Sequence, residues 1–275
     1  MRWLSQGDAD FDRQLHQALQ IDEATSQEIE ASVDAILAEV REGGDTALTR
    51  LVAQYDGIAC EAVADLLISK NEMALACERL SPAINEALQH AAARIRSYHE
   101  RQHEEQATDW RFEDELGNVL GQRISPMARV GVYAPGGKAS YPSTILMTAI
   151  PAKVAGVPEV VLAVPADKQR IDPVLLAAAH YAGVDEFYTM GGAQAIGALA
   201  YGCQTIQRVD KICGPGNLYV ATAKRRVFGE VGIDMVAGPS EVLVVADAKT
   251  RVDWVADDVL AQAEHDELAN SSCSA

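Results

Sequence analysis

The sequence predicts an α/β protein in which a mostly helical N-terminal region precedes a parallel sheet. Three observations carry this. Up to about residue 125, apolar residues recur at helical spacing. From Val130 onward, short apolar runs alternate with helical patterns, the signature of successive βαβ units. Runs such as Val160-Val161-Leu162-Ala163-Val164 have no polar alternation, as expected of parallel strands buried on both faces.

Taken in order, Glu28 to Val40 places Ile29, Val33, Ile36, Leu37 and Val40 on one helix face. Gly43-Gly44 is expected to stop this helix, with Asp45 capping the next through Leu48, Leu51 and Val52. Ser81-Pro82 opens another helix with proline at its first position, and Ile84, Leu88, Ala92 and Ile95 share one side. His99 to Glu113 is charged and reads as solvated. Strands are then predicted at 130–133, 160–164, 186–189, 209–213 and 242–246. Helices are predicted at 143–155, 173–182, 193–201, 217–228 and 252–265.

Composition narrows the function classes. The chain has 275 residues, 48% hydrophobic and 23% charged, enough for a large buried core. A net charge of −17 repels phosphate backbones and anionic headgroups, which argues against nucleic acid as a partner. No apolar run is long enough to span a bilayer, and the acidic, polar start does not read as a signal peptide. The five cysteines are scattered without a CxxC pair, so they read as reduced structural thiols of a cytoplasmic protein.

Ligands of open α/β sheets bind at the carboxyl ends of the strands. Those ends are glycine-rich here: Ala134-Pro135-Gly136-Gly137, Met190-Gly191-Gly192-Ala193-Gln194-Ala195, Gly214-Pro215-Gly216-Asn217 and Ala237-Gly238-Pro239-Ser240-Glu241. Glycine lets a backbone approach a ligand closely, and a helix starting there turns free N–H groups toward an anion. The first three follow strands and the fourth precedes one; any single turn is equally an ordinary tight turn, but several at the same edge of one sheet favour a phosphate- or dinucleotide-binding protein. Neither standard signature is met, since Gly214-Pro215-Gly216-Asn217-Leu218-Tyr219 lacks a third glycine and Lys138 is followed by Ala139.

The four turns in this order and spacing, joined by Val209-Asp210-Lys211-Ile212-Cys213, Ile233-Asp234-Met235-Val236, Asp258-Val259-Leu260-Ala261-Gln262-Ala263-Glu264-His265 and the earlier Arg41-Glu42-Gly43-Gly44-Asp45-Thr46-Ala47-Leu48, resemble the histidinol dehydrogenase family from about residue 25 to about residue 268. The resemblance implies oxidation of L-histidinol to L-histidine through L-histidinal, the last step of histidine biosynthesis. Two NAD and one zinc ion (Zn2+) serve that reaction in a homodimer. It implies two incomplete Rossmann-like parallel-sheet domains: residues 26–129 with 239–275, and 130–238, after an N-terminal arm at 1–25. Tyr133, Gln194 and Asn217 match NAD-contacting positions, Ser240 a substrate-contacting one, and Gln262 and His265 two zinc ligands that also face the substrate. Gln262 and His265 are three residues apart, so one helix face can present both to an ion. His16, His90, His99, His103 and His180 match nothing functional.

Family members continue into a further strand where this sequence reads Asp266-Glu267-Leu268-Ala269-Asn270-Ser271-Ser272-Cys273-Ser274-Ala275. The polar tail is expected to replace that strand. The family's general-base histidine, the glutamate before it and the remaining aspartate and histidine zinc ligands are expected beyond it, so no residue of this chain is assigned as catalytic. The chain alone is expected to be inactive. The alternatives are a non-enzymatic protein with weak NAD binding, or a related oxidoreductase acting on another small alcohol.

Overall fold

The predicted strands from Val130 onward are all present: four lie in a six-stranded sheet and the fifth in a two-stranded one. The computed structural model describes residues 4, 5, 7–19, 23–136, 141–166, 171–236, 241–263 and 270–274. They belong to two compact units, residues 32–236 and residues 1–31 with 237–275.

The larger unit begins within α2 (Glu23–Tyr55), after the short α1 (Phe11–Leu19) of the smaller one. Gly44, at φ 53° and ψ −133°, kinks α2 where the glycine pair was expected to stop it. The Asp45 carboxylate accepts from the Thr205 hydroxyl at 2.6 Å and the Thr205 N–H at 3.1 Å, so its side chain ties the kink to a distant turn. A 3-10 turn leads to β1 (Leu67–Ile68) and α3 (Lys70–Glu78). α4 (Pro82–Gln106) starts as predicted, with Ser81 accepting from the Ile84 N–H and proline at the first position. It runs further than its apolar stripe, into the charged stretch from His99 as far as Gln106. A hairpin of β2 (Trp110–Glu113) and β3 (Val119–Gln122) follows.

The α/β alternation then runs β4 (Arg129–Tyr133), α5 (Pro142–Val154), β5 (Glu159–Ala163), α6 (Pro173–Ala182), β6 (Glu186–Tyr188), α7 (Gly192–Tyr201), β7 (Lys211–Cys213), α8 (Leu218–Val227) and β8 (Gly232–Ile233). The sheet order is β1-β6-β5-β4-β7-β8. All neighbours are parallel except β1, which joins β6 antiparallel through Leu67↔Tyr188 and Ile68↔Phe187. Counted along the chain, the five parallel strands stand in the order 3-2-1-4-5, one strand short of a full doubly wound nucleotide fold.

Side-chain alternation divides the core between the two faces. Val130, Val132, Val160, Leu162 and Phe187 point to the side covered by α5 and α6, where Ile145, Leu146, Ile150, Leu175 and Leu176 complete a dry layer. Met73 of α3 and Leu88 and Ala92 of α4 close the same cluster from outside. Burying each of these large side chains contributes about 1.5–3 kcal/mol. α7 covers the other face, with Leu199 against Gly131 and, further out, Leu37 and Val40 of α2 against Gly197. The boundary expected between residues 129 and 130 falls inside this unit, because β1 extends the sheet and α3 and α4 pack on its helices.

In the smaller unit, β9 (Glu241–Val245), α9 (Val252–Ala263) and β10 (Asn270–Ser274) form a parallel β-α-β arrangement, with Asn270↔Glu241 through Ser274↔Val245 in register. β9 thus lies outside the sheet that holds β5. The polar tail differs from expectation: Asn270 to Ser274 is a strand. Ladder hydrogen bonds run through the backbone, so a Ser-rich segment can pair when a crossover helix returns it alongside a partner.

Candidate functional site

Between β4 and β7 the winding of the parallel strands reverses, and open α/β sheets take ligands at the carboxyl ends of the strands flanking such a point. Tyr133 is the last residue of β4, and Gly214-Pro215-Gly216-Asn217 follows β7 directly. The Met190-Gly191-Gly192 turn, after β6, leads into α7 at the same edge.

Tyr133 is 3% exposed, and its hydroxyl accepts the Gly192 N–H at 3.2 Å. Burial pushes this phenol well above its usual range; the Gly192 hydrogen bond opposes the shift and the Asp56 charge adds to it. Gln194, in the first turn of α7, is 1% exposed and donates from Nε2 to Asp56 Oδ2 at 3.0 Å. The same oxygen accepts the Gly191 N–H at 3.2 Å. Burial raises the Asp56 carboxyl, outweighing those two hydrogen bonds. Asp56 therefore ties the Gly191 peptide to the Gln194 side chain, and the sequence reading missed it. Its one local signal is an acidic residue just past the end of α2, where the helix dipole disfavours negative charge.

Asn217 is exposed and caps α8, its Oδ1 accepting the Val220 N–H at 3.1 Å. The turn that carries it is fixed at Gly214, whose φ is 118°. The Gly214 N–H donates to Asp234 Oδ2 at 2.8 Å, and the Gly214 carbonyl accepts from Lys224 Nζ at 2.9 Å. Lys224 and Asp234 also form an ion pair with each other. Burial raises the Asp234 carboxyl, but hydrogen bonds from Lys224, Gly214 and Met235 and the Lys224 charge outweigh it and hold it below the usual range. A Cβ on Gly214 would stand 1.9 Å from the Tyr133 carbonyl oxygen, so this turn lies directly against the end of β4. The three residues matched to NAD contacts thus share one sheet edge. Tyr133 and Gln194 are linked through the glycine turn, and Tyr133 and Asn217 through Gly214.

Gln262 belongs to the smaller unit, in α9, and is half-buried. Its Nε2 is buried and has no hydrogen-bond partner among the described residues. Half a turn of the amide would bring Oε1 to the same position, so the group suits a weak oxygen ligand. Ser240 and His265 lie outside the described residues. Among the described residues no three His, Cys, Asp or Glu side chains converge as a metal site. A catalytic zinc needs about three protein ligands, so Gln262 by itself does not hold one. His16, His90, His103 and His180 are exposed and His99 is half-buried. All five cysteines are free. Among the described residues no helix is long and apolar enough to cross a membrane.

A mostly parallel α/β sheet whose winding reverses between β4 and β7, with glycine turns, a buried tyrosine and a helix cap gathered at that point, defines a doubly wound α/β protein. A family model for histidinol dehydrogenase matches residues 19–274, and the chain belongs to that family. It is 51% identical over 271 residues to a histidinol dehydrogenase of Pseudomonas aeruginosa, covering 98% of this chain and 61% of that protein. With the histidinol dehydrogenase of Psychrobacter arcticus it shares 53% identity over 273 residues, covering 98% of this chain and 63% of the relative. The crystal structure of histidinol dehydrogenase from Elizabethkingia anophelis superposes with a TM-score of 0.76 at 36% identity, over 88% of this chain and 55% of that one. The chain thus spans about three fifths of the length of these curated relatives.

Proposed function

We propose that this chain supplies the dinucleotide-binding part of an NAD- and zinc-dependent histidinol dehydrogenase. The complete protein would oxidise L-histidinol to L-histidine through L-histidinal in the cytoplasm, as a homodimer. The observation that carries the reading is the placement of Tyr133, Gln194 and Asn217 around one sheet edge at the switch point, in a chain of this family.

When bound, NAD supplies the hydride acceptor and zinc a Lewis acid for the substrate alcohol. The residues of this chain bind and orient. Asp56 gathers the Gly191 N–H and the Gln194 amide, so the start of α7 is held at the ligand edge. Tyr133 fixes the next peptide of that turn through the Gly192 N–H. Asn217 caps α8, leaving the first backbone N–H groups of that helix directed at an anion such as a pyrophosphate. Gln262 is the proposed zinc ligand among the described residues; His265, three residues on in the sequence, is proposed as a second ligand and Ser240 as a substrate contact. No residue of this chain is proposed as the general base.

The test is titration of the purified chain with NAD, by calorimetry or tryptophan fluorescence. Saturable binding weakened by Gln194→Ala is expected. Unchanged binding after replacing Tyr133, Gln194 and Asn217 together would show that the site lies elsewhere. NADH formation from histidinol, compared with other small amino alcohols, is measured on this chain extended to the length of its relatives. The chain as it stands is expected to turn over little or no histidinol.

A further inference from the structure

We propose that Lys224 and Asp234 are positioning residues for the dinucleotide site: together they clamp the two polar groups of Gly214 and so fix Asn217 and the start of α8 against the end of β4. The inference rests on the reading of this edge as the NAD site.

Lysine is among the residues least often buried, yet Lys224 is 2% exposed. It stands on the second turn of α8 and reaches back to the turn before its own helix, donating to the Gly214 carbonyl at 2.9 Å and to Asp234. Asp234 comes from a different element, the residue just past β8, and its side chain is 33% exposed. One of its oxygens accepts the Gly214 N–H at 2.8 Å; the other takes Lys224 and the Met235 N–H at 2.7 Å. Three pieces of the sheet edge therefore meet at one residue: the turn after β7, the body of α8 and the end of β8.

A lysine taken out of water is a poor means of gaining stability, because its desolvation offsets much of the attraction to its partner. Apolar side chains would hold α8 on the sheet at least as well. They would not hold a peptide at a set angle, since hydrophobic contact has no direction. Directional bonds to both the N–H and the C=O of one residue do set that angle. Gly214 is the residue whose angle matters, because it lies against the Tyr133 carbonyl on one side and is followed three residues later by Asn217. A rotation there moves Asn217 relative to Tyr133, the two sides of the switch point.

The test compares Lys224→Met, Lys224→Arg and Asp234→Asn with a packing control, Val227→Ala, a fully buried position at the far end of α8. For each, the midpoint of thermal unfolding, the NAD dissociation constant and the amide exchange rates of Gly214 and Asn217 are measured. Lys224→Met is expected to melt within a few degrees of the parent, to bind NAD at least 10-fold more weakly and to exchange the Gly214 amide at least 10-fold faster. Asp234→Asn should move both readouts in the same direction, and Lys224→Arg should recover part of the affinity lost in Lys224→Met. Val227→Ala should lower the melting point and leave NAD affinity alone. Parent-like NAD affinity in Lys224→Met, or in Asp234→Asn should Lys224→Met not fold, overturns the proposal while leaving the NAD site standing. Equal loss of affinity and melting point in Val227→Ala overturns it as well, because the pair would then act only by holding the fold. A parent chain that binds no NAD overturns the site reading itself, and the positioning role with it.

Discussion

Replacing Gly214 by alanine separates two costs that the structure lets one count. The residue sits at φ 118°, outside the regions open to L side chains. Forcing alanine there costs about 1–3 kcal/mol. The added Cβ would also stand 1.9 Å from the Tyr133 carbonyl oxygen, a backbone atom that cannot swing aside. Relieving that overlap requires the turn and β4 to part, an overpacking cost of about 1–3 kcal/mol. Gly229 provides the control. Its φ is 105°, but a Cβ there meets nothing within 4 Å. Gly229→Ala therefore carries the strain alone, and both glycines lie in the unit formed by residues 32–236. At about 2–4 °C per kcal/mol for a unit of this size, Gly214→Ala should melt about 2–12 °C below Gly229→Ala. Thermal melts followed by circular dichroism read the difference. Equal melting points for the two variants, or a Gly214→Ala protein within about 2 °C of the parent, would refute the reasoning.

Three further outcomes follow from the geometry. Arg129 is 6% exposed and bonds Glu159, Glu186 and the Gln207 carbonyl at the amino ends of the strands, so Arg129→Met should cost about 1–3 kcal/mol in urea unfolding without changing NAD affinity. Asp56 titrates above its ordinary range in the fold, so the native state holds its proton longer than the unfolded chain. Stability should therefore fall as pH rises through the window that starts near about 4, and Asp56→Asn should lack that component when urea melts are compared across it. A parallel dependence in parent and variant would count against this. Tyr133→Phe removes the acceptor of the Gly192 N–H and should cost about 0.5–1.5 kcal/mol, with faster exchange of that amide; an unchanged Gly192 exchange rate would mean the bond is not made.

Much of the fold was legible because the signals are local. The proline after Ser81 marks a helix start where expected, and the helix predicted at 173–182 has those bounds because Asp172 and Gly183 close its ends through bonds made within a few residues. The run Val160 to Val164 reads as a buried strand whatever its neighbours are. Tyr133, Gln194 and Asn217 were legible for another reason, a resemblance between motifs rather than chemistry visible at each position. Asp45 was misread as a cap, because a carboxylate bonds whichever donors the fold brings to it, and here those come from Thr205.

The sequence by itself determined the long N-terminal helices, the alternation of strands and helices from β4 to α9 apart from β8, where the glycine turns fall and which family the motifs resemble. Only the tertiary structure decided the strand order, the antiparallel edge strand at Leu67–Ile68 and the pairing of the Ser-rich segment Asn270–Ser274 with β9. It also decided the partners of the charged groups at the site. Asp56 meets Gln194 across 138 positions of chain, and Lys224 meets Asp234 only because β8 lies next to β7. Periodicity and capping act over a turn or a pleat, and so they are written in neighbouring residues. The partner of a buried charge depends on which distant strand ends share an edge, and no short stretch of sequence carries that information.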